Sequence, residues 1–341
     1  MLLFNYFKVR KVIKMDNKTL TELNFKKTQW LYDKVWGTTC CFFQEVEELA
    51  KLNLSIDEIL EAFDTDYYAQ QLNELGCGYC IFTVNQTSKY LSIPNETYEK
   101  YSGYKRGEVT PNNVDIIERL LNSFQKYGIE LLLGFSCDGP SKDPQAREGF
   151  GTITYGLPAE QSQMSLEFTK KWCEVIRESS LRYGKRIKGW WFDGTFYNNG
   201  YNEERVALIA DAARAGNPDA IVACNIYGLM PPPHEREEYM REGAPTDNFT
   251  FGEMWNYSAI PEAPMLGHCR WHIWSWFDSP IKPLDENGNE IPYTKEYLKD
   301  YVTRVHKAGG VVTVHGLSFD RFGKIRPECY ELFSELKNIK L

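Results

Sequence analysis

Apolar runs that stop abruptly alternate along this chain with longer stretches of helical periodicity, and that order constrains the fold more than any other feature. Eight runs read as strands: 35–43, 78–84, 129–135, 187–192, 220–224, 248–252, a part of 265–274, and 310–314. Most are continuous apolar stretches, the pattern of strands buried on both faces of a parallel sheet. Between them, 63–75, 111–127, 161–183, 202–215 and 294–308 place apolar residues at helical spacing. Strand and helix in repeated alternation imply βα units. Eight such units predict an α/β fold, a closed (β/α)8 TIM-like barrel. It is expected to be a single catalytic domain over residues 30–341, behind an N-terminal extension of residues 1–29. An open doubly wound sheet is the other arrangement. No phosphate loop or dinucleotide glycine signature follows any strand, so no nucleotide and no cofactor is expected.

Charge and cysteine usage narrow the function classes. The net charge is −8 with acids and bases mixed throughout the 341 residues, and no basic stripe invites nucleic acid. No stretch is long and apolar enough to span a membrane. The first fourteen residues mix apolar and basic side chains without a small-residue cleavage site, so a secretory leader is not expected. The nine cysteines include Cys80, Cys137, Cys224 and Cys269 within or beside putative strands, where they read as small buried hydrophobes of a reducing compartment. A cytoplasmic location follows as an expectation. Cys77 and Cys80 have CxxC spacing, but no second pair accompanies them, and no metal site is expected there.

In barrel enzymes the C-terminal ends of the strands carry the chemistry. Here those ends bear Asn85 and Gln86, Asp138, Asp193, Asn225, Glu253 with Trp255, His268 to His272, and His315. Amides and carboxylates suit hydroxyl-rich ligands, and a Trp face suits the C–H face of a sugar. Taken singly, each of these residues also fits a turn or cap. The two acids matter most. Asp193 ends the run Trp190-Trp191-Phe192 just before Gly194, and Glu253 follows Phe251 and Gly252. Glycoside hydrolysis needs two carboxyl groups, one ionised and one kept protonated by an apolar site. Phe251, Met254 and Trp255 are expected to raise the pKa of Glu253 by desolvation. Turn N–H groups beside Asp193 are expected to keep it ionised.

The run Trp191-Phe192-Asp193-Gly194 resembles the nucleophile strand of glycoside hydrolase family 29, the retaining α-L-fucosidases. The segment 63–83 resembles that family's helix leading into the second barrel strand, and 309–314 with 323–327 resembles the end of its barrel. The similarity extends over residues 30–338, with the WFDG match its most specific part. It implies that Asp193 is the nucleophile of a retaining, exo-acting glycosidase. The family's acid/base is a Glu some tens of residues later. Glu253 fits that place, with Glu262 and Asp278 competing. The family also carries a His pair after its second strand and a His at the end of its first. This chain has Asn85-Gln86 at the former and none at the latter. The hydrolytic pair is thus expected without the family's usual fucose contacts.

The expected function is a glycosidase with a carbohydrate substrate. Asp193 and Glu253 are its catalytic pair. Asn85, Gln86, Asp138, Trp191, Asn225, Trp255, His268, His272 and His315 are its sugar-binding candidates. The alternatives are a carbohydrate-binding barrel without turnover, and a metal-assisted hydrolase built on His268 and His272.

Overall fold

The computed structural model describes residues 16–42, 51, 53–227, 241–254, 256–276, 287–315 and 317–339. Eight strands form one sheet: β1 (Trp36–Cys40), β2 (Tyr79–Thr83), β3 (Glu130–Ser136), β4 (Ile187–Asp193), β5 (Ile221–Cys224), β6 (Glu253–Met254), β7 (His272–Trp276) and β8 (Val311–His315). Their order is β5-β4-β3-β2-β1-β8-β7-β6, and every pairing is parallel. That is the circular order of a barrel opened between β5 and β6. The segment before β6 reaches across this seam. Asn248 N–H donates to Val222 O of β5 at 2.8 Å, and Arg270 N–H donates to Asn248 O at 2.9 Å. Side chains add to it: Asn248 Oδ1 accepts from Val222 N–H, and Asp247 Oδ2 accepts from Cys224 N–H.

β2 to β5 and β8 fall where the apolar runs place them. The sixth and seventh strands do not. Over 248–252 only Phe249 makes an isolated bridge, to Arg270, and regular pairing starts at Glu253. Gly252 explains the break. Its φ is +75°, and a Cβ there would sit 2.1 Å from His272 O, so only glycine admits this bend. Met265–Leu266 pairs antiparallel with Cys269–Arg270 in a short hairpin, and β7 begins only at His272. Helices fill the connections from β1 to β5. They include Thr65–Glu74, Ile116–Gln125, Leu166–Tyr183 and Glu203–Ala213. Lys295–Lys307 joins β7 to β8. Among the described residues, no helix joins β5 to β6 or β6 to β7. Side-chain caps from Asp64, Asp115, Ser165, Asn202 and Thr294 set the helix starts by satisfying otherwise unpaired N–H groups.

Side chains alternate across the strands as a two-sided sheet requires. One set, including Trp36, Phe82, Leu133, Trp190, Phe192, Val222 and Val312, packs under the helices. The other, including Tyr79, Ile81, Leu132, Trp191, Ala223, Phe249, Phe251, Trp274 and Val311, forms a separate inner cluster. Burying each large apolar side chain stabilises by about 1.5–3 kcal/mol. The helix α1 (Asn17–Lys27) lies across the N-terminal ends of the strands. Asn24 Nδ2 donates to Asp247 O and His268 O, and Arg270 Nη2 donates to Phe25 O. The opposite, C-terminal ends are left to the loops.

Candidate active site

The inner cluster ends upward in polar side chains, because every second residue of each strand faces inward. Trp191 on β4 is stacked on Phe251, with ring centroids 4.0 Å apart, and lies against Trp274. It is 5 % exposed and forms a floor. Two residues on, at the strand end, stands Asp193. Gly194, at φ +74°, folds back so that its N–H donates to Asp193 Oδ1 at 2.8 Å. A Cβ at Gly194 would meet the Asp138 carboxyl at 2.9 Å, so the glycine is also what lets Asp138 approach.

Asn225, the first residue beyond β5, joins the two acids. Its Nδ2 donates to Asp193 Oδ1 at 3.1 Å and to Glu253 Oε2 at 2.9 Å. The two carboxylate oxygens are therefore no farther apart than those bonds laid end to end, about 6.0 Å. Burial raises both pKa values. Glu253 is pushed up to about 8, by burial first and by the charge of Asp193 second. Asp193 is also raised by burial, but two donors, Gly194 N–H and the Asn225 amide, pull it back. Among the described residues one donor reaches Glu253 and two reach Asp193, so Asp193 ionises first. The turn N–H of Gly194 favours the ionised form of Asp193, as the sequence suggested, but with the Asn225 amide it does not offset burial in full.

Asp138 follows β3. Burial, then Asp193, pushes its carboxyl up to about 7, and among the described residues no group hydrogen-bonds its Oδ1. Asn85 is buried, and its amide bonds the backbone of Ser136 in both directions. Gln86 beside it is partly exposed. His315 ends β8 facing inward, its ring 4.6 Å from that of Trp274.

Two expected sugar ligands lie elsewhere. His272 begins β7 instead of ending it. It is fully buried at the opposite end of the strand, with its ring nitrogens on Thr250 O and Thr313 Oγ1. His268 lies in the hairpin before β7, bonded to Glu242 and to Ala244 O. With each imidazole engaged separately, the two do not assemble into one metal site. The physical reason is register: the hairpin consumes the residues expected in the strand and shifts its rim end to Trp276. Trp276 was missed. Its ring stands at 90° to His315, 5.8 Å away, and the alternation His272, Trp274, Trp276 was the signal that could have found it. Glu262 is exposed. Trp255 and Asp278 lie outside the described residues.

Buried carboxyls tie stability to pH. Asp138 and Asp247 are pushed up to about 7 and Glu253 to about 8, all three chiefly by burial. Each holds its proton more tightly folded than unfolded. The stability it adds is full below its unfolded pKa and is lost as pH rises through its folded one. His272 and His315 act oppositely: burial lowers both to about 4, so they cost stability as pH falls below about 6.5. We therefore expect Tm to fall between pH 6.5 and 8.5 by roughly 5 °C, or about 3 kcal/mol. Thermal melts that stay flat or rise across that window would refute it.

No family sequence model matches the chain, and no curated protein matches it in sequence. Solved structures do match in fold. An endo-fucoidan hydrolase of glycoside hydrolase family 107, MfFcnA4, superposes with a TM-score of 0.65 at 14% identity, covering 92% of this chain and 53% of that one. The endo-fucoidan hydrolase P5AFcnA of the same family gives 0.60 at 15%, covering 92% of both chains. The family 29 α-L-fucosidase from Bacteroides thetaiotaomicron gives 0.60 at 15%, covering 92% of this chain and 72% of that one. The chain spans about half the length of MfFcnA4. Its fold is the one shared by these glycoside hydrolases of families 29 and 107.

Proposed function

We propose that this chain is a retaining glycoside hydrolase whose strands close into a (β/α) barrel around a sugar site at their C-terminal ends. The observation that carries the reading is the Asn225 amide held between Asp193 and Glu253. It keeps two unlike carboxyls within reach of one glycosidic bond. Retaining enzymes hold their carboxyls about 5–5.5 Å apart and inverting ones about 6.5–9.5 Å. The limit of about 6.0 Å between the bonded oxygens is compatible with the retaining class, which the family 29 resemblance supports. Asp193 attacks the anomeric carbon while Glu253 gives its proton to the departing oxygen. A covalent glycosyl ester forms at Asp193. Glu253, now ionised, takes a proton from water, whose oxygen attacks the anomeric carbon and frees Asp193. The fold likeness to fucose-acting hydrolases supports a related deoxy sugar or glycan as substrate. Exo-action rests on the family 29 resemblance. Digestion of an oligosaccharide that releases only monosaccharide supports it, and internal cleavage refutes it. The direct test of the function is a panel of aryl glycosides, with product anomers followed by NMR.

The sugar is expected to differ from free fucose in simple glycosides. Asn85 and Gln86 occupy the place of the family's His pair, and the Asn85 amide is already bonded to Ser136. A site that lacks matched partners for particular hydroxyls discriminates strongly. Simple aryl α-L-fucosides should therefore show kcat/KM below about 10⁴ M⁻¹s⁻¹, with another pyranoside or a larger fucosylated glycan preferred. Efficient turnover of the simple fucoside would sink this expectation.

A further inference from the structure

The rim has a second conjunction that the proposed hydrolysis does not use. Cys41, the residue after β1, has its Sγ 3.3 Å from Nδ1 of His315, the last residue of β8. β1 and β8 are paired neighbours at the middle of the strand order, while β4 and β6 toward its ends carry Asp193 and Glu253. Trp274 lies against the His315 ring, and its Nε1–H donates to Thr39 Oγ1 at 2.7 Å, which holds this wall in place. Trp276 stands edge-on to the same ring.

We propose that Cys41 is a positioning residue: its thiol donates to His315 Nδ1 and fixes the imidazole as the tautomer protonated at Nε2. The rim then presents an N–H donor to a sugar hydroxyl. This last step rests on the glycosidase reading; the tautomer does not.

A neutral imidazole has one donor and one acceptor nitrogen, and the bond made by one nitrogen decides the state of the other. Both partners are neutral at working pH. Burial pushes the Cys41 thiol up to about 12 and the His315 imidazole down to about 4. Only one proton can then lie between sulfur and Nδ1. The competing arrangement turns the thiol toward Thr83, whose hydroxyl also reaches it, and makes Nδ1–H donate to sulfur. Sulfur is a weak acceptor, whereas an imidazole lone pair is a good one. The thiol donor is therefore favoured, and the Thr83 hydroxyl keeps its bond to Cys40 O at 3.0 Å.

The test is ¹⁵N NMR of histidine-labelled protein near neutral pH, with His315 assigned through His315→Gln. The wild type should show Nδ1 unprotonated and accepting a hydrogen bond, and Nε2 protonated. Cys41→Ala should move the Nδ1 resonance toward that of an unbonded or tautomer-averaged nitrogen. Cys41→Ser, which keeps a donor, should restore it. A wild-type Nδ1–H, or shifts unmoved by Cys41→Ala, would overturn the proposal. On the best aryl glycoside of the panel, Cys41→Ala should raise KM roughly fivefold with a smaller change in kcat, as expected for one misdirected hydrogen bond, and Cys41→Ser should reverse most of it. An unchanged KM refutes the sugar contact. If the protein hydrolyses no glycoside, the glycosidase reading fails and the NMR result still decides the tautomer.

Discussion

Asp193→Ala should lower kcat by about 10⁴-fold or more, the scale seen when a nucleophile is removed from a catalytic unit. The fold should survive, because Asp193 is partly exposed at a strand end and, among the described residues, its carboxylate holds only Gly194 N–H and the Asn225 amide. Circular dichroism and the thermal midpoint check that point separately. Azide should restore part of the activity. It fits the space vacated by the carboxylate, attacks the anomeric carbon from the same side, and leaves a glycosyl azide of inverted configuration. Rescue with that product identifies the residue as the nucleophile. Near wild-type turnover in the unrescued variant removes Asp193 from the reaction and passes the nucleophile role to another group.

Glu253→Ala is expected to separate substrates by their leaving groups. General acid catalysis contributes about 10²–10⁴-fold, and glycosides of poorly leaving alcohols should lose that much. A glycoside whose leaving group departs unaided should lose little in its first step. The pH profile gives an independent reading. Glu253 must be protonated to act as the acid, and burial holds it up to about 8. The wild-type kcat/KM should therefore fall as pH rises through about 8, and the variant should lose that limb. If alkyl glycosides are cleaved as fast by the variant, the acid role passes to Glu262 or Asp278.

The alternation of apolar runs with helical periodicity was enough to place β2 to β5 and β8, because a strand buried on both faces leaves a continuous apolar signature. The same local pattern put Asp193 at the end of Trp190-Trp191-Phe192, and Asn225 and His315 each at the end of its own run. Around β6 and β7 the signal failed. Residues 265–270 are apolar enough for a strand, but whether they join the sheet or fold back as a hairpin depends on partners distant in sequence. That one register decision moved His268 and His272 off the rim and brought Trp276 onto it. The bend at Gly252 was equally silent, since a glycine does not announce which carbonyl it must approach.

The sequence by itself determined the parallel α/β order and which residue types arrive at the strand ends. Both depend on short-range periodicity and on where an apolar run stops. Only the tertiary structure decided which of those residues meet. One Asn225 nitrogen links acids from β4 and β6, and Cys41 meets His315 across β1 and β8. Such contacts join residues far apart along the chain, and the unequal sharing of donors that makes Asp193 ionise before Glu253 exists only once burial and hydrogen bonding act on both together.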